Sequence, residues 1–332
     1  MIGLNNAKIR VAVIGAGEHG QRHARVYQSI PGAELTGVYD VVPERRAQLG
    51  AVLGVQAFQS LDEVWRSAEA VSLVIPTTHH AVVAQEALGR GIDLLVEKPI
   101  TATVEEADAL VRRATAGGRI LQVGHVERFN PGAAAAKAVT RQPLFFEVHR
   151  LGVFSPRSLD VDVVYDLMIH DLDLVLWFVE SPVREVRAVG LPVLSDKVDI
   201  ANARVEFESG AVANLTASRV STEKVRKFRY FQPHEYISID FSRQDALMIG
   251  VDRAEASPEM SFRKLETQPA EPLRAEIEAF IESVRTRQPP LVGGSEGRQA
   301  LALAAQVMDC IEAHAAKVNL RLTQPAGQSG ES

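Results

Sequence analysis

The sequence predicts an α/β protein of two domains, the first built on a parallel sheet and the second an α+β domain with a mostly antiparallel sheet. Apolar strands alternate with helices over residues 1–124, and a glycine-rich turn follows the first strand. Over much of residues 125–323, strands instead follow one another directly. Alternation gives a parallel sheet with helices on both faces, whereas successive strands favour antiparallel pairing. A length of 332 residues also suits two cores better than one.

The strands of the first domain are short runs of apolar and β-branched residues, typical of strands buried on both faces. They are predicted at residues 9–14, 34–39, 71–75, 93–96 and 119–123. Helices are predicted between them at residues 18–29, 43–53, 61–67, 79–89 and 104–116.

The pattern changes after about residue 124. A short helix at 133–139, a strand at 144–150 and a long apolar helix at 163–179 come first. Strands follow at 183–189, 200–207, 211–218, 228–231, 236–241 and 246–251, with a hairpin turn at Glu208, Ser209 and Gly210. Helices at 273–286 and 295–316 close the domain, and the polar tail 324–332 is expected to be disordered.

Composition argues against several classes of partner. The net charge of −6 is opposite to the basic footprint of most nucleic-acid-binding proteins. The apolar run 161–179 carries four aspartates and a histidine, so it is not a membrane span, and the first ten residues lack the apolar stretch of a signal peptide. Cys310 is the only cysteine, which suits a reducing compartment. We expect a cytoplasmic protein with a small-molecule substrate and no nucleic-acid or membrane partner.

A glycine-rich turn between the first strand and the first helix predicts a dinucleotide site. Its six residues are Gly15, Ala16, Gly17, Glu18, His19 and Gly20, a G-x-G-x-x-G string. In such a turn the glycines allow a tight bend, a close approach to a pyrophosphate and close helix packing, which is the pattern of a Rossmann domain. Asp40 ends the second strand, where a carboxylate can accept hydrogen bonds from the adenosine ribose and repel a 2′-phosphate. NAD is therefore favoured over NADP, although Arg45 could soften the preference, and a glycine turn that binds nothing is the alternative.

A lysine follows the fourth main strand of this domain. Glu97, Lys98 and Pro99 come directly after an apolar run, so Lys98 lies at the carboxyl end of a parallel strand, where α/β sheets bind ligands. A lysine there can hydrogen-bond a substrate hydroxyl and stabilise a developing alkoxide. The alternative is a solvated surface lysine.

The long apolar helix carries polar residues on one predicted face. Asp166, His170 and Asp173 are spaced i, i+4 and i+7. Buried acids and histidines are unfavourable unless they are paired or used. Histidine titrates near neutral pH and can take the proton of an alcohol as hydride leaves. Asp166 could orient His170 or contact the substrate; a His–Asp pair that only satisfies the core is the alternative.

No metal site is expected. No pair of histidines has zinc-finger or metalloprotease spacing, and no cysteine lies near them. The histidines considered are His79, His80, His125, His149 and His170.

Together these motifs resemble the Gfo/Idh/MocA family, the group of glucose–fructose oxidoreductase and inositol dehydrogenase. The resemblance spans nearly the whole chain. It rests on GAGEHG at 15–20, PTTHH at 76–80, EKP at 97–99, VGHVERFNP at 123–131 and D-x-x-x-H-x-x-D at 166–173.

The resemblance implies a Rossmann domain followed by an α+β domain with an open sheet, through which such proteins form homodimers or homotetramers. It implies that Lys98 contacts the nicotinamide and the substrate, and that Asp166 and His170 are the substrate-side pair, with His170 as the base. It also implies that Pro76 and His80 lie on the cofactor side and Glu97 beside the nicotinamide. Arg128, at the domain junction, and Tyr165, beside Asp166, are further candidates for substrate contacts.

Two departures bear on the substrate. Met168 stands where many members have glycine, and residues 162–165 replace a glycine-rich lead-in, which argues against a free monosaccharide or inositol. The segment YDLMIHDLD is similar to the branch that oxidises the 3-hydroxyl of UDP-N-acetylglucosamine, ahead of a transaminase, in lipid A biosynthesis. A UDP-sugar needs cations for its diphosphate, and arginines suit this task. Candidates are Arg150, Arg157, Arg219, Lys224, Arg226, Lys227 and Arg229, with the run 224–229 favoured.

The sequence therefore leaves three functions open. The first is an NAD-dependent sugar-nucleotide 3-dehydrogenase, and the second is a dehydrogenase of another sugar or polyol such as inositol. The third is a non-catalytic NAD-binding sensor, because a fold does not fix a function.

Overall fold

The structure, a computed structural model, describes residues 7–154, 161–252, 259–320 and 322. The predicted tail 324–332 and the candidate Arg157 lie outside these residues.

The chain divides into two compact units. One comprises residues up to 129 together with 270–301, and the other residues 130–269 together with those after 301. The division differs from the predicted domains 1–124 and 125–323, chiefly because residues 270–301 join the first unit. The reason is packing, since Ile277 and Phe280 share one buried core with Ala24 and Tyr27.

The first unit contains a six-stranded parallel sheet. The strands are β1 (Ile9–Ile14), β2 (Ala33–Tyr39), β3 (Gln56–Ala57), β4 (Ala70–Leu73), β5 (Asp93–Glu97) and β6 (Leu121–Gly124). Their order in the sheet is β3-β2-β1-β4-β5-β6, and all neighbours are parallel. The order reverses between β1 and β4, and a doubly wound sheet binds ligands at the carboxyl ends of the strands at such a point. The short strand β3 was not predicted.

The helices of this unit agree closely with the sequence pattern. They are α1 (Glu18–Ser29), α2 (Pro43–Leu53), α3 (Leu61–Ser67), α4 (His80–Gly89), α5 (Val104–Gly117) and, from the later part of the chain, α8 (Pro272–Thr286). Two of them begin at a side-chain cap that the sequence supplies: Thr103 and Glu106 form a capping box at the start of α5, and Ser60 caps α3. Helix α9 (Gly294–Lys317) begins in this unit's residues and ends in those of the second.

The second unit contains an eight-stranded, mostly antiparallel sheet. Its strands are β7 (Phe145–Val153), β8 (Val183–Leu191), β9 (Ile200–Phe207), β10 (Val212–Ser221), β11 (Val225–Gln232), β12 (Glu235–Asp240), β13 (Asp245–Asp252) and β14 (Glu259–Lys264). The order is β14-β13-β12-β11-β7-β10-β9-β8, and only the central β7–β10 pair is parallel. Strand β14 was not predicted.

One face of this sheet is buried and the other is partly open. On β7, Phe146, Val148 and Arg150 are buried, whereas the alternate residues Phe145 and Glu147 are half-buried. Such alternation is typical of an antiparallel sheet covered on one side. The helices of this unit are α6 (Pro131–Val139) and α7 (Ile169–Val179), and Phe178 of α7 packs edge-on against Phe146.

The predicted helix 163–179 is continuous, but its first part is not α-helical. Residues Val164–Met168 form a π-helical turn, and α7 begins only at Ile169. Such turns insert into α-helices mostly as single units and are frequent at functional sites. Within the described residues, no helix is both long and apolar enough to cross a membrane.

Candidate active site

The glycine loop joins β1 to α1 and is shaped by close backbone contacts. Gly15 has φ +105°, and a Cβ there would lie 2.0 Å from the carbonyl oxygen of Val74. A Cβ on Gly20 would lie 1.8 Å from the carbonyl oxygen of Gly15, so the start of α1 packs directly on the loop. The fold itself therefore requires glycine at these two positions.

Gly17 differs from the other two glycines. It caps α1 with φ −66°, and a Cβ on it would meet no protein atom within 4 Å. The protein therefore leaves space beside Gly17, next to the first-turn amides of a helix whose N-terminus carries a positive dipole end. That arrangement suits a pyrophosphate.

Asp40 ties the end of β2 to this loop. Its side chain is 7% exposed, Oδ2 accepts a 2.7 Å hydrogen bond from the Ala16 N–H, and Oδ1 accepts a 2.8 Å bond from the Val42 N–H. Each carboxylate oxygen can accept a second hydrogen bond, so both remain competent for a ribose diol. The backbone carbonyl of Asp40 also accepts a 2.8 Å bond from Arg46, which steadies the strand end.

These elements surround a cleft of about 640 Å³, within the range of cofactor sites. Of the residues predicted to bind the cofactor, it is lined by Gly15, Gly17, Glu18, His19, Gly20, Asp40 and Pro76. Arg45 lines it as well, beside Asp40, together with His79, which was not predicted in this role. Ala16 donates its backbone N–H to Asp40.

His80 lies behind the wall of the cleft. It is 1% exposed, and its ring nitrogens lie 2.9 Å from the carbonyl oxygens of Pro99 and Ile75. Burial lowers the pKa of His80, which favours the neutral ring. His80 thus joins the segment after β4 to the segment after β5, and its predicted place on the cofactor side stays a prediction.

Glu97, the last residue of β5, is a hydrogen-bonding centre. Its Oε1 lies 3.0 Å from His19 Nε2 and 3.1 Å from His23 Nε2, while Oε2 accepts a 3.3 Å bond from the Lys98 N–H. Burial by itself would raise the pKa of Glu97, but the bonds from the two histidines outweigh it and hold the pKa well below its usual range. The same bond to Glu97 raises the pKa of His19 against the opposing effect of burial.

The same three side chains are grouped closely enough to raise the question of a metal. The ligating atoms of His19, His23 and Glu97 lie within 4.8 Å of one another. Their separations of 3.0 and 3.1 Å are ordinary N–H···O hydrogen-bond lengths, so the group is explained as a hydrogen-bonded cluster. That the protein needs no metal stays a prediction.

In the second unit, the π-helical turn carries Tyr165 and Asp166, and His170 lies in the first turn of α7. Asp166 and His170 are half-buried, whereas Asp173 is fully buried. That Asp166, His170 and Asp173 share one face stays a prediction, since the segment is π-helical from Val164 to Met168 and α-helical from Ile169.

Tyr165 is placed among acidic residues. Burial raises the pKa of the Tyr165 phenol to about 12, and the nearby carboxylates of Asp162 and Asp309 act in the same direction. The phenol therefore stays protonated, so a contact with substrate would be a hydrogen bond from or to a neutral hydroxyl group.

Two of the arginines considered for a diphosphate have structural roles. Arg150 makes a two-pronged ion pair with Asp171, with both N···O distances 2.8 Å, and both side chains are buried. Arg219 lies 2.9 Å from Asp199, again with both side chains buried. Breaking a buried pair leaves an uncompensated charge, so these arginines hold the fold of the second unit.

The remaining cations lie on or beside β11. Lys224, Arg226 and Lys227 are exposed, while Arg229 lies 3.2 Å from Glu147 on β7. Arg128 is only 4% exposed and lies in a 3₁₀ turn at the end of the first unit's N-terminal segment.

Comparison with known proteins supports this arrangement. Residues 9–125 match the model of the Gfo/Idh/MocA oxidoreductase family, described as an NAD-binding Rossmann fold, and residues 138–232 match the Gfo/Idh/MocA C-terminal domain. The chain is 39% identical over 308 residues to UDP-N-acetylglucosamine 3-dehydrogenase of Acidithiobacillus ferrooxidans, covering 92% of this chain and 98% of that protein. It is 29% identical over 235 residues to scyllo-inositol 2-dehydrogenase (NAD(+)) of Bacillus subtilis, covering 64% and 68%.

Solved structures agree. The structure of the Acidithiobacillus ferrooxidans enzyme superposes with a TM-score of 0.86 over 92% of this chain and 98% of that one. A levoglucosan dehydrogenase in complex with NADH and levoglucosan superposes with a TM-score of 0.84 at 18% identity, covering 92% and 98%, and supports the fold alone.

Proposed function

Because the chain belongs to the Gfo/Idh/MocA family of NAD-binding oxidoreductases, we propose that it oxidises the 3-hydroxyl of UDP-N-acetylglucosamine to a ketone. The observation that carries the substrate is the degree of sequence identity. The sugar-nucleotide relative is 39% identical over 308 residues, whereas inositol dehydrogenases are 29% identical over 235 residues and 24% identical over 323 residues.

The cofactor proposal rests on the cleft. Asp40 presents two carboxylate oxygens that suit a ribose diol, and Gly17 leaves space for a pyrophosphate at the start of α1. Bound NAD would accept the hydride that leaves the carbinol carbon.

The catalytic proposal assigns one role to each of three side chains. His170 takes the hydroxyl proton as the C–H bond breaks and the C=O bond forms. The Lys98 ammonium donates a hydrogen bond to the same oxygen and stabilises its developing charge. Asp166, four residues before His170, orients the imidazole or contacts the sugar. Tyr165, Arg128 and the cations of the run 224–229 are proposed to hold the rest of the sugar nucleotide.

An apolar row on the open face of the second unit's sheet supports a homo-oligomer. It crosses five adjacent strands in register and consists of Phe145, Phe231, Tyr236, Ile249 and Phe262. Phe262 is 65% exposed. Exposed apolar patches of this kind mark interaction sites. We propose that the row, called the apolar row below, packs against a second copy in a homodimer or homotetramer.

We also propose the reaction's setting. A ketone at C3 is the group that a transaminase converts into an amine, which fits a step of lipid A biosynthesis. A cytoplasmic site suits a chain whose single cysteine, Cys310, forms no intramolecular disulfide.

A substrate panel tests the proposal. The enzyme is incubated with NAD and, in turn, UDP-N-acetylglucosamine, N-acetylglucosamine, myo-inositol and scyllo-inositol, and NADH is followed by its absorbance. We expect NADH to form with UDP-N-acetylglucosamine and with none of the other three compounds. NADH with an inositol only would assign the enzyme to polyols, and tight NAD binding without NADH from any compound would favour a sensor.

A further inference from the structure

A line of buried polar side chains runs between α1 and the parallel sheet. Tyr27 Oη lies 2.7 Å from Ser72 Oγ, Ser72 Oγ lies 3.3 Å from His23 Nδ1, and His23 Nε2 lies 3.1 Å from Glu97 Oε1. Tyr27, Ser72 and His23 are each 0% exposed. Buried polar groups are expensive unless every member is satisfied, so the line needs an explanation.

The chemistry of the four groups fixes the direction of the hydrogen bonds. An ionised carboxylate only accepts, so His23 Nε2 must carry a hydrogen that it donates to Glu97. The Nδ1 atom of a neutral His23 then accepts from the Ser72 hydroxyl. Burial raises the pKa of Tyr27, so its phenol keeps the proton that it donates to Ser72. All three donors therefore point toward Glu97.

Several titratable side chains surround Glu97, and the hydrogen bond from His23 has to be considered together with them. His19 and His23 face it from α1, His80 from α4 and Glu276 from α8. Glu276 is fully buried, and neither of its carboxyl oxygens has a hydrogen-bond partner within the described residues. Burial raises the pKa of Glu276 well above its usual value, and the charge of Glu97 adds to this effect.

Glu97 and Glu276 thus differ in the hydrogen-bond donors that face them. Glu97 and Glu276 lie in the same unit, the first with 13% of its side chain exposed and the second fully buried, but only Glu97 receives imidazole N–H groups. One of these donors, His19, is about half exposed, with 47% of its side chain accessible. The other, His23, is enclosed, and its second ring nitrogen lies 3.3 Å from Ser72 Oγ.

We propose that His23 is a positioning residue, which fixes the Glu97 carboxyl group at the end of β5 and thereby orients Lys98. Glu97 Oε2 accepts the Lys98 N–H, so a displaced carboxylate would move the backbone that carries the lysine. The inference deepens the proposed function, since Lys98 is the group assigned to the substrate oxygen.

The first test measures Glu97 directly and needs no substrate. Glutamate carboxyl carbons are labelled with ¹³C, the Glu97 signal is assigned by its loss in Glu97→Gln, and it is titrated in the wild type and in His23→Leu. We expect the Glu97 midpoint in His23→Leu to rise by about one pH unit or more, because one donor is lost while burial remains. An unchanged midpoint would overturn the inference.

A matched set of variants separates this effect from damage to the fold. His23→Gln places an amide N–H near the former position of Nε2 and should bring the Glu97 midpoint most of the way back to the wild-type value. Arg25→Gln changes an exposed residue of the same helix and should leave the Glu97 signal as in the wild type. If His23→Leu does not fold, ¹⁵N spectra of the wild-type imidazoles test the proposal instead. They show which ring nitrogen of His23 carries the hydrogen. A neutral His23 with its hydrogen on Nδ1 rather than Nε2 would contradict the proposed donation to Glu97.

The second test is kinetic. With UDP-N-acetylglucosamine, kcat of His23→Leu should fall by roughly 10-fold or more, because small displacements of a catalytic group are costly. KM for UDP-N-acetylglucosamine should change far less than kcat, because the variant displaces the lysine that acts on the reacting oxygen and leaves the other proposed sugar-nucleotide contacts in place. A raised KM with an unchanged kcat would contradict the positioning role. A wild type that turns over no compound would overturn the proposed function, while the ¹³C titration would still decide the role of His23.

Discussion

The carboxylate of Asp40 accepts a 2.7 Å hydrogen bond from the backbone N–H of Ala16, twenty-four residues earlier in the chain. This bond joins the end of β2 to the glycine loop after β1, so the residue that suits the ribose also holds the loop that suits the pyrophosphate. A change at Asp40 should therefore act on cofactor binding in two ways.

Replacing Asp40 by asparagine should reverse part of the cofactor preference. The amide keeps one acceptor for the loop but removes the charge that repels a 2′-phosphate, and Arg45 lies beside it. We expect NAD to bind about tenfold more weakly, which is about 1.4 kcal/mol, and the ratio of NAD to NADP affinity to fall further. Titration calorimetry with both dinucleotides measures this. An unchanged ratio would show that Asp40 does not face the ribose.

Two glycines of the loop should respond differently to alanine. Gly17→Ala meets no protein atom, so the melting temperature should stay near that of the wild type while NAD affinity falls at least about tenfold. Gly15→Ala forces a side chain into φ +105° and against Val74, so it should destabilise the fold by about 1–3 kcal/mol or more. Thermal melts with and without NAD distinguish the two. Loss of stability in Gly17→Ala would mean that the open space beside it is not a ligand site.

Removing either proposed catalytic side chain should separate turnover from cofactor binding. Lys98→Ala and His170→Ala should each lower kcat by about 10²–10⁴-fold while NAD still binds. Lys317→Ala, on an exposed part of α9, is the matched control and should keep normal turnover. Wild-type rates in both Lys98→Ala and His170→Ala would refute the assignment.

The buried carboxyl of Glu276 should make stability depend on pH. Its pKa is raised in the folded state, so above the unfolded value of about 4.3 the folded protein holds a proton that the unfolded chain has lost. The free energy of unfolding should therefore fall, relative to Glu276→Gln, by up to about 1.4 kcal/mol per pH unit until the folded pKa is reached. Urea unfolding of both proteins from pH 5 to pH 8 measures the difference. Parallel curves would show that Glu276 is not protonated in the fold.

The apolar row should hold copies of the chain together. Phe262→Glu introduces a charge on the exposed end of the row, and Val52→Glu introduces the same charge at a 65% exposed position of α2. Light scattering after size-exclusion chromatography should give a smaller mass for Phe262→Glu and the wild-type mass for Val52→Glu. Equal masses for all three proteins would exclude the row as the interface.

Much of the first unit could be predicted from the sequence because its signals are local. A buried strand, a glycine turn and a helix are consecutive in the chain, and an acid at the end of the next strand must lie beside that turn in a parallel sheet. Gly15, Gly17, Gly20 and Asp40 are predicted in this way, and all four line one cleft. The same reasoning could not place β14 or the π-helical turn at Val164–Met168, since each depends on its neighbours more than on its own residues.

The tertiary structure alone decided which polar residues act together. His23 and Glu97 are 74 residues apart, and their hydrogen bond exists only because α1 packs beside the carboxyl end of β5. The available signal was a histidine on the buried face of α1, beside Ala24 and Tyr27, but a buried histidine does not reveal its partner. Likewise, α8 joined the first unit because Ile277 and Phe280 complete its core. The sequence by itself determined the elements and the cofactor loop through local sterics, whereas long-range packing decided which charges are buried together and which are ionised.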